Sequence, residues 1–368
     1  MRTVRRLMYA DVLGAVAFVT VAFLALFFFI DFVDELNDVG KAGYKLQHAA
    51  LYCALLVPGH FYELFPITVL IGAIFAMARL AQSSEFTILR TSGLGPGRAL
   101  SLLAVLGLSF AAITFVVGDY VAPYFDRVAT NLRAGVRGGM KLEGMGAWLK
   151  DRRDLPGGGE RMDSINVGRV APDASLEDVR IYEFDTQGQL LTRLAAKRGH
   201  VGGGKWVLED VQRTEWPVQG ADTPPRDTHL GQLEWPSTLT PAVVSAAVAT
   251  VRSMSTIDLY RYASHLSENE QAAQRYEIQF WKKALYPFAC LVMMGLALPF
   301  AYLHARRGGM SLMVFGGILL GISFVLLNNV ATHLGLLQNW IPWVAAGAPS
   351  AVYLLLSLAA FRWLVRNR

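Results

Sequence analysis

Five uncharged runs in this chain are each long enough to cross a bilayer, and that constrains the fold more than any motif does. They are Val12–Ile30, Ala99–Gly118, Ala284–Leu303, Gly308–Thr332 and Leu334–Phe361. A helix needs about 20 residues to cross a hydrocarbon core of roughly 30 Å. A sixth run, Ala49–Ala78, is interrupted only by His60 and Glu63. With charged residues at only 17% of the chain, the expectation is an α-helical polytopic membrane protein. It has six transmembrane helices, three on each side of a polar insert. The expected division is 1–134 for helices one to three, 135–254 for the insert, and 255–368 for a linker helix and helices four to six.

Arginine placement gives the orientation. Arg2, Arg5 and Arg6 precede the first span; Arg79, Arg90 and Arg98 lie between spans two and three; Arg306 and Arg307 lie between spans four and five. Arg362, Arg366 and Arg368 end the sequence, whereas the short loops on the other side hold only Lys41 and Lys45. Both termini are therefore expected in the cytoplasm and the insert on the far side. The net charge of +5 is mostly this flanking pattern, so it gives no argument for nucleic acid. Span one exceeds a signal-peptide core and leads into Asp31, Asp34 and Glu35 with no small-residue cleavage site, so it is expected to be retained. Cys53 and Cys290 fall in different spans and read as packed thiols.

Between spans two and three, Ala81–Gly97 reads as a short amphipathic helix over residues 83–94. Ser84 can cap it, Glu85 places negative charge at the positive end of the dipole, and Arg90 falls in the last turn. Phe86, Leu89 and Gly93 recur at helical spacing, and Gly95-Pro96-Gly97 stop it. It is either an interfacial loop or a helix that docks on a cytosolic partner.

Polar residues near the outer ends of the spans are the other candidates. After Phe27-Phe28-Phe29 come Asp31, Asp34, Glu35 and Asp38, then Lys41 and Lys45. They either form a solvated helix end or meet the charged head of a ligand entering from the bilayer. Glu63, bracketed by Pro58 and Pro66, either lines a cavity or sits at the outer interface. In span five, Asn328 and Asn329 either bond between helices or line a path.

In the insert, Ile165–Val170, Val179–Phe184, Leu190–Ala195 and Trp206–Trp216 alternate apolar and polar residues between turn signals. An antiparallel β-sandwich or jelly roll is expected. Ser255-Thr256-Ile257-Asp258 then opens a helix with a capping box. No G-x-x-x-x-G-K-[ST] phosphate loop occurs, and neither does H-E-x-x-H, so the chain is not expected to be an enzyme or to hydrolyse ATP itself. No cofactor and no metal site are expected.

Several short strings, in order, carry a family resemblance. They are Phe32-Val33-Asp34-Glu35-Leu36, Leu80-Ala81-Gln82-Ser83-Ser84-Glu85, Ser92-Gly93, Val121-Ala122-Pro123, Arg275-Tyr276 with Trp281 and Lys283, Pro287, Met293-Met294 and Pro349-Ser350-Ala351. In this order and spacing the chain resembles the YjgP/YjgQ permeases over essentially its whole length. These are the paired LptF and LptG membrane subunits of the lipopolysaccharide-transport ABC exporter. The Phe32–Leu36 string and the Pro349–Ala351 ending are more similar to the LptG branch than to the LptF branch.

The resemblance implies a cell inner-membrane subunit with a periplasmic jelly roll inserted between helices three and four. It implies that Ser84, Glu85, Phe86, Leu89 and Arg90 form a coupling helix for a cytosolic LptB-like ATPase dimer. An LptF-like second permease subunit, LptC- and LptA-like bridge proteins and lipopolysaccharide are the further implied partners. Spans one and five would form this subunit's share of the lateral gates, with Phe27, Asp31, Asp34, Lys41, Lys45, Glu63, Phe324 and Asn328 as cavity or gate residues. One departure stands out. Relatives with lysines at and after the end of span one direct them at lipid A phosphates, and here those positions are Asp31, Asn37 and Asp38. A membrane scaffold or sensor with a periplasmic β domain is the alternative from another class.

Overall fold

The computed structural model describes all residues except 1, 42, 84–90, 92–94, 138–139, 142–146, 156–158, 171–174, 186, 203, 218–223, 240–242, 245–250, 269–272, 303–309 and 367–368. Two compact units are present. One comprises Met1–Glu35, Cys53–Phe125 and Gln274–Arg368; the other comprises Leu36–Tyr52 and Asp126–Ala273.

The first unit is helical. It takes in α1 (Arg2–Leu36) but for its last residue, α2 (Leu46–Gln82) from Cys53 on, and α3 (Pro96–Val116). α3 passes through a π-turn (Val117–Val121) into α4 (Ala122–Arg137), most of which belongs to the second unit. Beyond the insert come α6 (Gln274–Leu285), α7 (Phe288–Ala297), α8 (Met310–Leu337) and α9 (Pro342–Arg366). Five of the described helices are long and apolar enough to cross a membrane, and the α6–α7 pair makes a sixth span if counted as one. That pair bends by 51°. The run Ala284–Leu303 is therefore not a straight span. Pro287 lacks the N–H that would continue the ladder, and the chain redirects there.

Lipid gives no hydrophobic reason for one apolar helix to seek another, so close packing has to come from small residues and hydrogen bonds. Gly72 of α2 is such a residue: a Cβ there would lie 2.6 Å from the Val16 Cα of α1. At Gly107 of α3, a Cβ would lie 3.2 Å from the Leu291 Cα of α7. The core so formed runs through Val16, Val69, Leu70, Ile74, Leu103, Phe110, Met293 and Phe324. Cys53 and Cys290 are buried free thiols, the latter 3.3 Å from the Thr114 hydroxyl.

The second unit carries the β insert. Its strands are β1 (Met140–Lys141), β2 (Ala147–Leu155), β3 (Gly159–Val170), β4 (Leu176–Phe184), β5 (Leu190–Val201), β6 (Lys205–Glu215) and β7 (Arg226–Pro236). From β3 to β7 each strand pairs antiparallel with the next, and β1 and β2 both pair with β3. This sheet is rolled. Trp235 on β7 donates its indole N–H to Glu183 on β4 at 2.8 Å, although β5 and β6 separate them in the ladder. A flat sheet would hold those strands on the order of 14 Å apart, three spacings of about 4.8 Å. Asp151 on β2 likewise accepts from Ser237 Oγ at 2.7 Å and from the Thr238 N–H at 3.0 Å, just past β7. Leu149, Ile165, Val179, Ile181, Trp206 and Leu208 fill the interior. The rolled antiparallel sheet agrees with the jelly-roll expectation.

The helix after the sheet, α5 (Thr256–Glu268), begins with the reciprocal bonds that its sequence foretells. The Asp258 N–H donates to Ser255 Oγ and the Ser255 N–H to Asp258 Oδ2, both at 3.1 Å. Arg127 adds an ion pair to Asp258 at 2.9 Å. Burial pushes the Asp258 carboxyl up, but the Ser255 N–H and hydroxyl and the Arg127 guanidinium outweigh it and hold the group below its ordinary value.

Candidate functional site

The polar candidates of α1 do not form one solvated cluster. Asp31 lies 2.6 Å from Nε2 of His60 on α2, and the His60 ring sits 5.3 Å from Phe27. Phe27 and Asp31 are one helical turn apart, so a single face of α1 presents both to the same imidazole. His60 is buried and Asp31 half-buried, while Asp34 is exposed and Glu35 buried. The acidic group at the end of span one is thus partly internal. Asp31 is occupied by a histidine whose only mark in the sequence was to interrupt an apolar run.

In the second unit, Asp38 is bracketed by Lys41 at 3.1 Å and Arg133 at 3.2 Å. Arg133 also lies over the Tyr52 ring, 5.2 Å from its centroid, and donates to the Tyr52 hydroxyl at 3.4 Å. Gly40 at φ +92° and Gly43 at φ +80° supply the left-handed turns that fold this loop. Lys45 is exposed, and its backbone N–H is capped by His48 Nδ1 at 3.1 Å. Sequence reasoning missed Arg133; a basic residue on the amphipathic α4 was the available signal.

Glu63 is exposed, and its backbone carbonyl accepts from the Tyr286 hydroxyl at 2.5 Å. Pro66 loosens the α2 ladder here, and Tyr286 supplies a donor to the loosened turn. The Tyr62 and Tyr286 rings pack at 5.1 Å, and Tyr62 fills the space where a Gly118 Cβ would stand at 2.3 Å.

On α8, Phe324 and Asn328 both turn inward. Phe324 is 1% exposed and meets the Tyr353 ring of α9 edge-on at 5.1 Å; the Asn328 carbonyl accepts from Thr332. Helix-to-helix packing explains the burial of Phe324. The exposed face of α8 is instead Phe315, Leu319, Ile322, Leu326 and Val330. The coupling candidates Ser84, Glu85, Phe86, Leu89 and Arg90 lie outside the described residues. Around them, α2 runs to Gln82 and α3 starts at Pro96, with Gly95 extended at the cap.

Four contacts tie α1 to α2 along the length of both helices. The Arg79 guanidinium pairs with Asp11; Gly72 receives Val16; Thr20 Oγ1 donates to Thr68 Oγ1 at 2.9 Å; and His60 pairs with Asp31. Thr68 passes its own proton to the Phe65 carbonyl at 3.0 Å, so the chain of donors is complete. Near the first of these ties the Tyr9 hydroxyl of α1 also bonds the Leu102 carbonyl of α3 at 3.1 Å.

Similarity to known proteins covers the same architecture. The family model described as "Lipopolysaccharide export system permease LptF/LptG" matches residues 6–363. The chain is 27% identical over 358 residues to the lipopolysaccharide export system permease protein LptG of Haemophilus influenzae, spanning 96% of each chain. To the protein of that name from Escherichia coli strain K12 it is 29% identical over 346 residues, 92% of this chain and 91% of the relative.

Proposed function

Because the chain belongs to the lipopolysaccharide export system permease LptF/LptG family, we propose that it is the LptG-type subunit of an ATP-driven lipopolysaccharide exporter. The observation that carries this is the family match, which runs unbroken through both helical halves and the β insert. The permease is a multi-pass inner-membrane protein with five or six spans. Its termini and the segment 83–94 face the cytoplasm, following the arginine distribution, and the rolled sheet is periplasmic.

Lipopolysaccharide carries several acyl chains and a charged head. Its extraction calls for an apolar chamber with a polar rim and an outside source of energy. The chain pairs with an LptF-like subunit, and the exposed faces of α1 and α8 border the chamber's lateral openings. Phe18, Val21, Leu26 and Phe29 form the α1 face. Asp34, exposed beyond the apolar stretch of α1, and Glu63, between Pro58 and Pro66 on α2, belong to the rim; Lys41 and Lys45, exposed in the other unit, are available to a charged head. Phe27, Asp31, Phe324 and Asn328 shape it from behind, as packed supports for the helices that line it. A cytosolic ATPase dimer grips the lever through Glu85 and Phe86, and the lipid passes to LptC- and LptA-like bridge proteins.

Purification of the tagged chain from its own membranes tests this reading. An ATPase, a second six-span subunit and bound lipopolysaccharide should copurify. A chain that comes out alone, or with periplasmic proteins only, would point to the scaffold alternative.

A further inference from the structure

We infer that α1 and α2 form a single rigid hairpin, so that motion delivered to the cytoplasmic end of α2 is carried directly to the gate face of α1. Asp11, Thr20 and Asp31 on one helix, with Arg79, Thr68 and His60 on the other, are the positioning residues. The inference rests on the transport reading above.

The argument is one of spacing. The residue numbers of the four contacts (11 with 79, 16 with 72, 20 with 68, 31 with 60) rise on α1 as they fall on α2, the register of an antiparallel pair. At about 1.5 Å per residue, the ties from Asp11 to Asp31 span roughly 30 Å, the thickness of a hydrocarbon core. The Asp11–Arg79 ion pair stands at one end of this ladder and the His60–Asp31 hydrogen bond at the other, with a hydroxyl bond between them and a backbone approach at Gly72 that leaves no room for sliding. A polar side chain within a span must find a partner, because lipid offers none. Parting the helices would strand the Thr20 hydroxyl, the Asp11–Arg79 ion pair and the His60–Asp31 hydrogen bond at once.

The mechanical consequence follows from where the ladder begins. Arg79 is in the last turn of α2, immediately before the segment proposed as the lever. Asp11 joins that turn to the same helix whose outer half exposes Phe18, Val21, Leu26 and Phe29. α1 has few buried residues of its own, so its position is dictated by these ties more than by general packing. A displacement of α2 at Arg79 then moves the exposed face of α1 with it.

Two experiments on the whole complex, reconstituted in vesicles with its partner subunit and ATPase, test the hairpin. In the first, Thr20→Cys and Thr68→Cys are introduced together and oxidised. The disulfide should form readily, and the locked complex should release lipopolysaccharide as fast as the reduced one. Release that stops on oxidation and returns with reductant would overturn the inference, as would failure of the two cysteines to cross-link. In the second, Asp11→Arg should cut lipopolysaccharide released per ATP hydrolysed by about fivefold or more, the lower end of usual couplings between distant sites. The exchange Asp11→Arg with Arg79→Asp should restore that ratio. A single variant with an unchanged ratio, or a double variant no better than the single, would contradict the transmission. A merely structural pair would lower the amount of complex and leave the ratio alone. If the unmodified complex releases no lipopolysaccharide, the transport reading fails instead.

Discussion

α1 and α2 are neighbours of nearly equal length and both are strongly apolar, yet they occupy opposite environments. In the most apolar stretch of α2, 78% of residues are buried inside the protein; in α1 the figure is 17%. Around α2 stand α1 at Gly72, α3 through Phe65 and Phe110 at 5.5 Å, the α6–α7 turn through Tyr286, and α8. On α8, Gly317 and Gly321 admit Ile74 and Ile67, whose side chains would lie within 2.8 Å of a Cβ at either glycine. α1 instead turns Phe18 outward at 75% exposure. Hydropathy reports the preference of a segment for lipid over water. It says nothing of whether that segment will face lipid or another helix, because to an apolar side chain the two are alike. What separates α1 from α2 is small residues and polar ties.

Substitutions should reproduce that contrast. Gly72→Leu should have the largest effect, because its side chain would have to enter the α1 backbone at Val16. We expect a loss of about 1–3 kcal/mol or more from overpacking, read as a lowered unfolding midpoint in detergent. An unchanged midpoint would mean that the helices can part at that point. Thr68→Val keeps the shape and removes the hydroxyl network of Thr20, Thr68 and Phe65. It should cost about 0.6 kcal/mol, the average for interhelical bonds in membranes, and no more than about 1.7 kcal/mol. Phe18→Ala should leave the unfolding midpoint of the isolated chain within about 0.5 kcal/mol, as for other surface sites. If that variant also weakens assembly with the partner subunit, the α1 face is an interface; a destabilised chain would place it in the core.

The same distinction marks what could be read from the sequence. Spans one, two, three and five, announced by length and composition, fall on helices, and the capping box at Ser255 and the four alternating strands β3 to β6 also appear. The run Leu334–Phe361 instead begins in the last turn of α8 and breaks before α9 starts at Pro342. Three strands, β1, β2 and β7, stayed hidden; β1 is only two residues long, too short to alternate. β2 reads AWLKDRRDL, with charges masking its alternation, and β7 is mostly solvent-facing, so only Trp235 is buried. The helix break at Pro287 was visible as a proline, but the apolar run around it argued for continuity.

Of the candidate site, residue types were legible and their pairings were not. His60 with Asp31, Arg133 with Asp38 and Arg79 with Asp11 join positions 29 to 95 residues apart, and no local pattern predicts which helix faces meet. Phe324 and Asn328 illustrate the point. An apolar helix without a polar face carries no marker of its inward side, so which residues line a chamber and which pack behind it can be decided only once neighbours are in place.

The most direct test of the central claim concerns the lever. The complex carrying Glu85→Lys, rebuilt in vesicles containing lipopolysaccharide, should assemble in the membrane as the unmodified chain does. It should show neither ATP-driven lipopolysaccharide release nor the ATPase activity coupled to it. Release at the unmodified rate from that variant would contradict the account.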